Sequence, residues 1–179
     1  ISVVHHGNLM NHVASVLRLG LPVPVGVLFV TMLGFYILGM CLKINPWVAM
    51  VGGLAFGFAS FNILYLGAGH ITKVNAVAFM APTLGGLLLA TRGKWLWGSV
   101  VFAFFLALNI SSNHFQITYY AGIFMAIIWV VYLLQYAKEK ALPTFAKYTG
   151  LVALAGVLAI GPNIANMWST KVYTSESMR

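Results

Sequence analysis

Two short polar segments interrupt long apolar runs, and they hold most of the side chains able to do chemistry. The first is Gly67-Ala68-Gly69-His70-Ile71-Thr72-Lys73. His70 and Lys73 stand three apart at the start of an apolar run, and Thr72 is positioned to cap the helix that follows. A helix start offers unpaired backbone N–H groups and the positive end of a dipole, and a lysine beside it strengthens an anion site. At a membrane surface the natural guest is a lipid phosphate or diphosphate. The plainer reading is that Lys73 snorkels to headgroups as a topology anchor.

The second segment is Ser111-Ser112-Asn113-His114, and Phe115-Gln116-Ile117-Thr118-Tyr119-Tyr120 opens the next apolar run. Ser112 or Asn113 could cap that helix. Asn113, His114, Gln116 and Tyr120 supply hydrogen-bond donors and acceptors without fixed charge, a set that suits a sugar or a lipid headgroup. Tyr119 and Tyr120 also suit an interfacial aromatic belt. The belt accounts for the tyrosines but not for Asn, His and Gln together.

Other chemistries lack their groups. Histidine metal ligands usually come with Cys, Asp or Glu. The chain has no Asp, Glu176 is far along it, and the adjacent His5-His6 pair is a weak signal, so no metal is expected. Glu139 and Glu176 are the only acids, and neither falls within an apolar run. That argues against a proton-coupled transporter, which needs intramembrane carboxylates. It argues equally against general acid–base catalysis by a carboxylate of this chain. Transport of a lipid phosphate would need an intramembrane polar path, and no such chain of residues is apparent.

These segments are carried by a chain made for lipid. Of its 179 residues 61% are hydrophobic and 7% charged, where soluble domains carry roughly 25% charged residues. At ~20 apolar residues per crossing, the length suffices for about six spans. The net charge is +8, but the bases punctuate apolar runs instead of forming a face, so no nucleic-acid partner is expected. Cys41 is a lone cysteine inside an apolar run and reads as a small packing residue.

The sequence therefore predicts an all-α polytopic membrane helix bundle of about six transmembrane helices, preceded by a short interfacial amphipathic helix. Residues 1–20 form the interfacial segment, with Leu9, Met10, Val13, Val16 and Leu17 at helical spacing. A surface helix packed on its own protein fits this pattern as well. The bundle occupies 21–168, with spans expected at 25–42, 47–66, 74–90, 95–110, 115–136 and 148–168. Pro82 and Gly85-Gly86 leave the third span open to being broken or re-entrant. Residues 169–179 read as a polar external tail. Both ends of the chain look like cuts through a longer polypeptide, though a partly observed chain would look the same.

Six crossings put Lys43, Arg92, Lys94, Lys138, Lys140 and Lys147 on one side, and Arg18, Lys73, Lys171 and Arg179 on the other. Cytoplasmic loops carry the excess of Lys and Arg. The first set is then cytoplasmic, and the polar turns at 67–73 and 111–114 face outward with all five histidines.

Several blocks resemble the YfhO-like bacterial membrane protein family, in Bacteroidetes-type members. They are Gly69-His70-Ile71-Thr72-Lys73 followed by Ala76 to Pro82, the block Asn113-His114-Phe115-Gln116-Ile117-Thr118-Tyr119-Tyr120, Leu21-Pro22-Val23-Pro24-Val25-Gly26, and Asn45-Pro46-Trp47. Tyr173 to Arg179 resembles the stretch where that family's spans give way to its next segment. The resemblance implies a GT-C-like fold and a glycosyltransferase that takes sugar from a polyprenyl-phosphate donor on the outer face of the bacterial cytoplasmic (inner) membrane. The family pattern has a catalytic Asp in the first external loop. With no Asp here, the chain is expected to begin after it, and the catalytic residue is unknown. His70, Thr72, Lys73, Asn113, His114, Gln116 and Tyr120 are the expected substrate-binding residues. Membrane lipids and the polyprenyl-phosphate sugar, as substrate, are the expected partners, and no cofactor is expected. The alternative is a non-catalytic membrane subunit or scaffold that binds other membrane proteins, with the glycine-rich second span and the aromatic fourth and fifth spans as packing faces.

Overall fold

The computed structural model describes residues 9–177, with side chains through residue 172, and every element among them is helical. His5 and His6 lie outside the described residues. In chain order the helices are α1 (Leu9–Leu17), α2 (Val23–Cys41), α3 (Pro46–Gly57), α4 (Ser60–Gly67), α5 (Ile71–Thr91), α6 (Trp95–Ser111), α7 (Phe115–Lys138), α8 (Leu142–Ile160) and α9 (Ile164–Ser177). A 3-10 turn, Gly161–Asn163, joins α8 to α9.

Local sequence sets these boundaries. Pro46 opens α3, and Asn45 Oδ1 accepts from Trp47 N–H at 2.9 Å, a side-chain cap. Pro24 and Pro143 sit in the first turns of α2 and α8, where a missing N–H breaks no helical bond. The left-handed residues Lys43, Asn113 and Lys140 close turns after α2, α6 and α7.

Helix α1 keeps its predicted amphipathic character but uses it inwardly. Met10 and Ala14 are buried, and Val13 and Leu17 pack on the core around Leu106 and Ala107, while Leu9 and Val16 stay exposed. The second expected span is two helices, α3 and α4, bent by 41°. Buried Asn62 holds the break, its Nδ2 donating to Phe56 O at 2.7 Å and Gly57 O at 3.2 Å. Gly57 O is a carbonyl that the end of α3 would otherwise leave unpaired, while Phe56 O also accepts from Ala59 N–H at 3.3 Å. The final span differs as well. Residues 142–172 run on as one long apolar stretch, with the 3-10 turn where buried Asn163 donates to Ala107 O at 2.9 Å. The stretch read as a polar tail continues as helix to Ser177.

The third expected span is unbroken. Helix α5 is continuous for 21 residues, most of them buried, and packs on α2, α6 and α7. At ~1.5 Å per residue it is about 31 Å long, enough to cross a hydrocarbon core. Pro82 has no N–H to give Ala78 O, and Gly34 of α2 comes so close at this point that any Cβ there would strike that oxygen. On the other side, Gly86 and Ala90 of α5 interleave with Phe102 and Gly98 of α6, nearly backbone to backbone.

Helices α2, α5, α7 and the 142–172 stretch are long and apolar enough to cross a membrane, and the bent α3–α4 pair makes five. Helix α6 is apolar and shorter, at 17 residues. Large apolar side chains cover the outside, with Trp47 73%, Leu64 70% and Trp97 68% exposed. A surface of that kind belongs in lipid. The molecule is a membrane helix bundle.

Its turns fall at two ends. Tyr136 OH donates to Thr91 O at 2.9 Å and Arg92 Nε donates to Tyr132 OH at 2.8 Å, so the end of α5 meets the end of α7. The starts of α5 and α7 meet at the other end, through Ala76, Val77 and Ile117. Single cysteines at Lys73 and at Lys94, in a Cys41→Ala background, should therefore react with an impermeant maleimide from opposite sides of a sealed vesicle. Labelling of both from one side would mean that α5 does not cross.

Candidate functional site

The two polar segments lie at the same end of the bundle. Helix α5 starts after Gly69, whose φ of +79° turns the chain, and His70 takes the N-cap place without a side-chain bond. Thr72 lies one residue inside the helix, in its first turn, and does not cap it, because the helix begins at Ile71. The second segment departs from expectation in the same way. Asn113 adopts a left-handed conformation that closes the turn after α6, so His114 becomes the N-cap of α7, again without a side-chain bond. Neither Ser112 nor Asn113 caps α7; Ser112 Oγ donates instead to Leu108 O at 3.1 Å.

Lys73 is held by aromatic rings. Its Nζ stands 3.9 Å from the Tyr65 ring centroid and 5.8 Å from that of Phe61, both on α4. The His70 ring lies 5.7 Å from Tyr65. A cation over a ring keeps its N–H groups for other acceptors, so this arrangement orients the ammonium without neutralising it. The bend in α3–α4 is what brings those rings over the start of α5.

On α7 the expected residues divide. Gln116 Nε2 donates to Tyr120 OH at 2.9 Å, and the pair is exposed on the side away from the bundle. His114 turns inward, and its Nδ1 is buried without a partner among the described residues. Asn113 is exposed, and Thr170 Oγ1 lies 3.5 Å from its Oδ1, linking this turn to α9. No hydrogen bond or ring contact joins His70 or Lys73 to Asn113, His114, Gln116 or Tyr120 among the described residues.

The link between the segments is a residue that spacing did not single out. Asn109 of α6 is 1% exposed; its Nδ2 donates to Ala76 O on α5 at 2.7 Å, and its Oδ1 accepts from Thr118 Oγ1 on α7 at 2.8 Å. Thr118 in turn reaches back toward His114 O at 3.5 Å. Four buried polar atoms lack a partner among the described residues: Asn62 Oδ1, Asn75 Oδ1, Ser99 Oγ and His114 Nδ1. Three of them border one small cluster, in which Phe56 packs on Ala76, Val77 and Ile117. Asn62 is bonded to Phe56 O, Asn75 precedes Ala76, and His114 O receives Ile117 N–H. Buried polar atoms of this kind are uncommon and call for a partner from water or a ligand. Asparagines inside apolar runs were the available signal, since polar side chains at membrane depth are costly.

Among the described residues no three His, Cys, Asp or Glu side chains come together as a metal site. No family model, curated protein or solved structure matches this chain.

Proposed function

We propose that this chain is the membrane part of a glycosyltransferase that takes sugar from a polyprenyl-phosphate donor. In this reading it is a YfhO-like, GT-C-type protein of the bacterial cytoplasmic membrane with six crossings, α6 and the bent pair included, and the His114 end faces outward. The observation that carries the reading is the convergence of two polar helix starts around Asn109, each with a buried polar atom lacking a partner among the described residues, Asn75 Oδ1 and His114 Nδ1. Lys73, steadied by Tyr65, binds donor phosphate with the N–H groups at the start of α5. His70, Asn113 and His114 meet sugar hydroxyls, while Thr72, Gln116 and Tyr120, within the first two turns of α5 and α7, contact the rest of the donor head. The catalytic base comes from elsewhere in the assembly, because Glu139 and Glu176 are the only acids here.

Sugar transfer by the intact protein from a short-chain polyprenyl-phosphate donor tests these roles. Lys73→Ala should raise the donor KM about tenfold, the equivalent of ~1.4 kcal/mol, and His114→Ala should lower kcat/KM. Unchanged transfer in both variants would remove the assignment.

The alternative is a non-catalytic subunit that holds other membrane proteins. The exposed face of α7, with Ile127, Val131 and Leu134, favours it. The glycines of α3 do not, because Gly52, Gly53 and Gly57 already pack against Phe35 and Met32 of this same chain. Stoichiometric co-purification with another membrane protein, with no transfer activity, would favour the subunit reading.

A further inference from the structure

At the opposite end, helices α5, α6, α7 and α8 leave a slot of ≈ 260 Å³ between them, walled by Leu87, Phe102, Met125, Trp129 and Val152. Its polar wall groups are satisfied internally. Thr91 Oγ1 donates to Leu87 O at 3.0 Å, and Trp129 Nε1 donates to Thr149 Oγ1 at 3.1 Å. The slot therefore offers only apolar surface to a guest. A single flexible alkyl chain suits such a space.

The rim is cationic. Arg92 follows Thr91 directly and is fixed by its Nε bond to Tyr132 OH at 2.8 Å, and its other N–H groups have no partner among the described residues. Lys147 Nζ stands 5.5 Å from the Trp95 ring centroid, two residues before slot-lining Thr149. Lys94, Lys138 and Lys140 are at the same end. The sole acid there, Glu139, accepts from Gln135 Nε2 at 3.0 Å.

We propose that this slot is a binding site for an anionic glycerophospholipid, with one acyl chain between α7 and α8 and its phosphate on Arg92 and Lys147. A guanidinium matches phosphate bidentately and an ammonium adds a point charge, while the alkyl chain fills a space that would otherwise leave the wall atoms without contacts. The inference does not depend on the proposed enzyme activity.

The test is tryptophan quenching by brominated lipids, with the full chain in nanodiscs. The Trp129 signal is the difference between wild type and Trp129→Phe. Dibrominated phosphatidylglycerol, at a small mole fraction in phosphatidylcholine, should quench that signal at least threefold more than dibrominated phosphatidylcholine at the same fraction. In the Arg92→Gln/Lys147→Gln variant the two lipids should become equal. Equal quenching in the wild type would overturn the site, and so would a preference that survives in the double variant.

Discussion

Replacing Gly98 with valine is expected to cost the bundle about 3 kcal/mol, near the top of the usual range for overpacking. A Cβ at Gly98 would fall on the N, Cα and Cβ atoms of Ala90, and one at Gly86 would fall on the backbone of Phe102. Flexible side chains can yield, but here the obstacle is backbone, so the whole of α6 must move away from α5. That seam is the most extensive in the molecule, and Ala90 in it is fully buried. Lipid tails are as apolar as leucine, so helices associate in a bilayer through close packing more than through hydrophobic burial. Gly122 on α7 is the control: nothing lies within 4 Å of a Cβ there. Gly122→Ala should be neutral or slightly stabilising, because alanine loses less backbone entropy in a helix. Thermal unfolding in detergent compares the two, and equal midpoints would refute the seam argument.

The second large effect is expected at Asn109. Single interhelical hydrogen bonds in membranes average ~0.6 kcal/mol. Asn109→Leu removes two of them at once, to Ala76 O and from Thr118 Oγ1. Neither partner is left unpaired, because Ala76 O keeps its place in the α5 ladder and Thr118 Oγ1 its contact with His114 O at 3.5 Å. A loss of about 1 kcal/mol follows. Thr118→Val leaves the buried Asn109 Oδ1 without its donor and should cost at least as much. A double-mutant cycle should then give a coupling of at least ~0.5 kcal/mol between the two positions. Faster amide exchange in the first turns of α5 and α7 should accompany the loss. Strict additivity, with unchanged exchange, would mean that Asn109 does not join these helix starts.

What the sequence made legible follows from which forces act locally. Apolar length and the Pro, Gly and Lys turns are local signals, so α2, α5, α6 and α7 lie within two or three residues of their expected bounds. The bend at Phe58–Ala59 carries no proline. It depends on Asn62 reaching back to Phe56 O and Gly57 O, a contact that hydropathy does not register. The helix starts were legible as polar breaks, but their caps were not. His70 and His114 take the N-cap positions because the preceding Gly69 and Asn113 adopt left-handed turns. Lys73 was legible as a charge at a helix start, whereas its ring partners on α4 come from tertiary folding. Asn109 lies inside an apolar run and gains its meaning only when α5 and α7 arrive on either side of it.

The meeting of Pro82 with Gly34 bears on how the chain is made. An α5 entering the bilayer alone would expose Ala78 O, together with the Asn75 side chain, to hydrocarbon, where an unmet backbone group costs several kcal/mol. Helix α2 precedes α5 in the chain and carries the glycine that seats against that oxygen. Synthesis from the N-terminus thus delivers the partner before the helix that needs it. A circular permutant in which α5 leaves the ribosome ahead of α2 should insert poorly, even though its finished form could make every native contact.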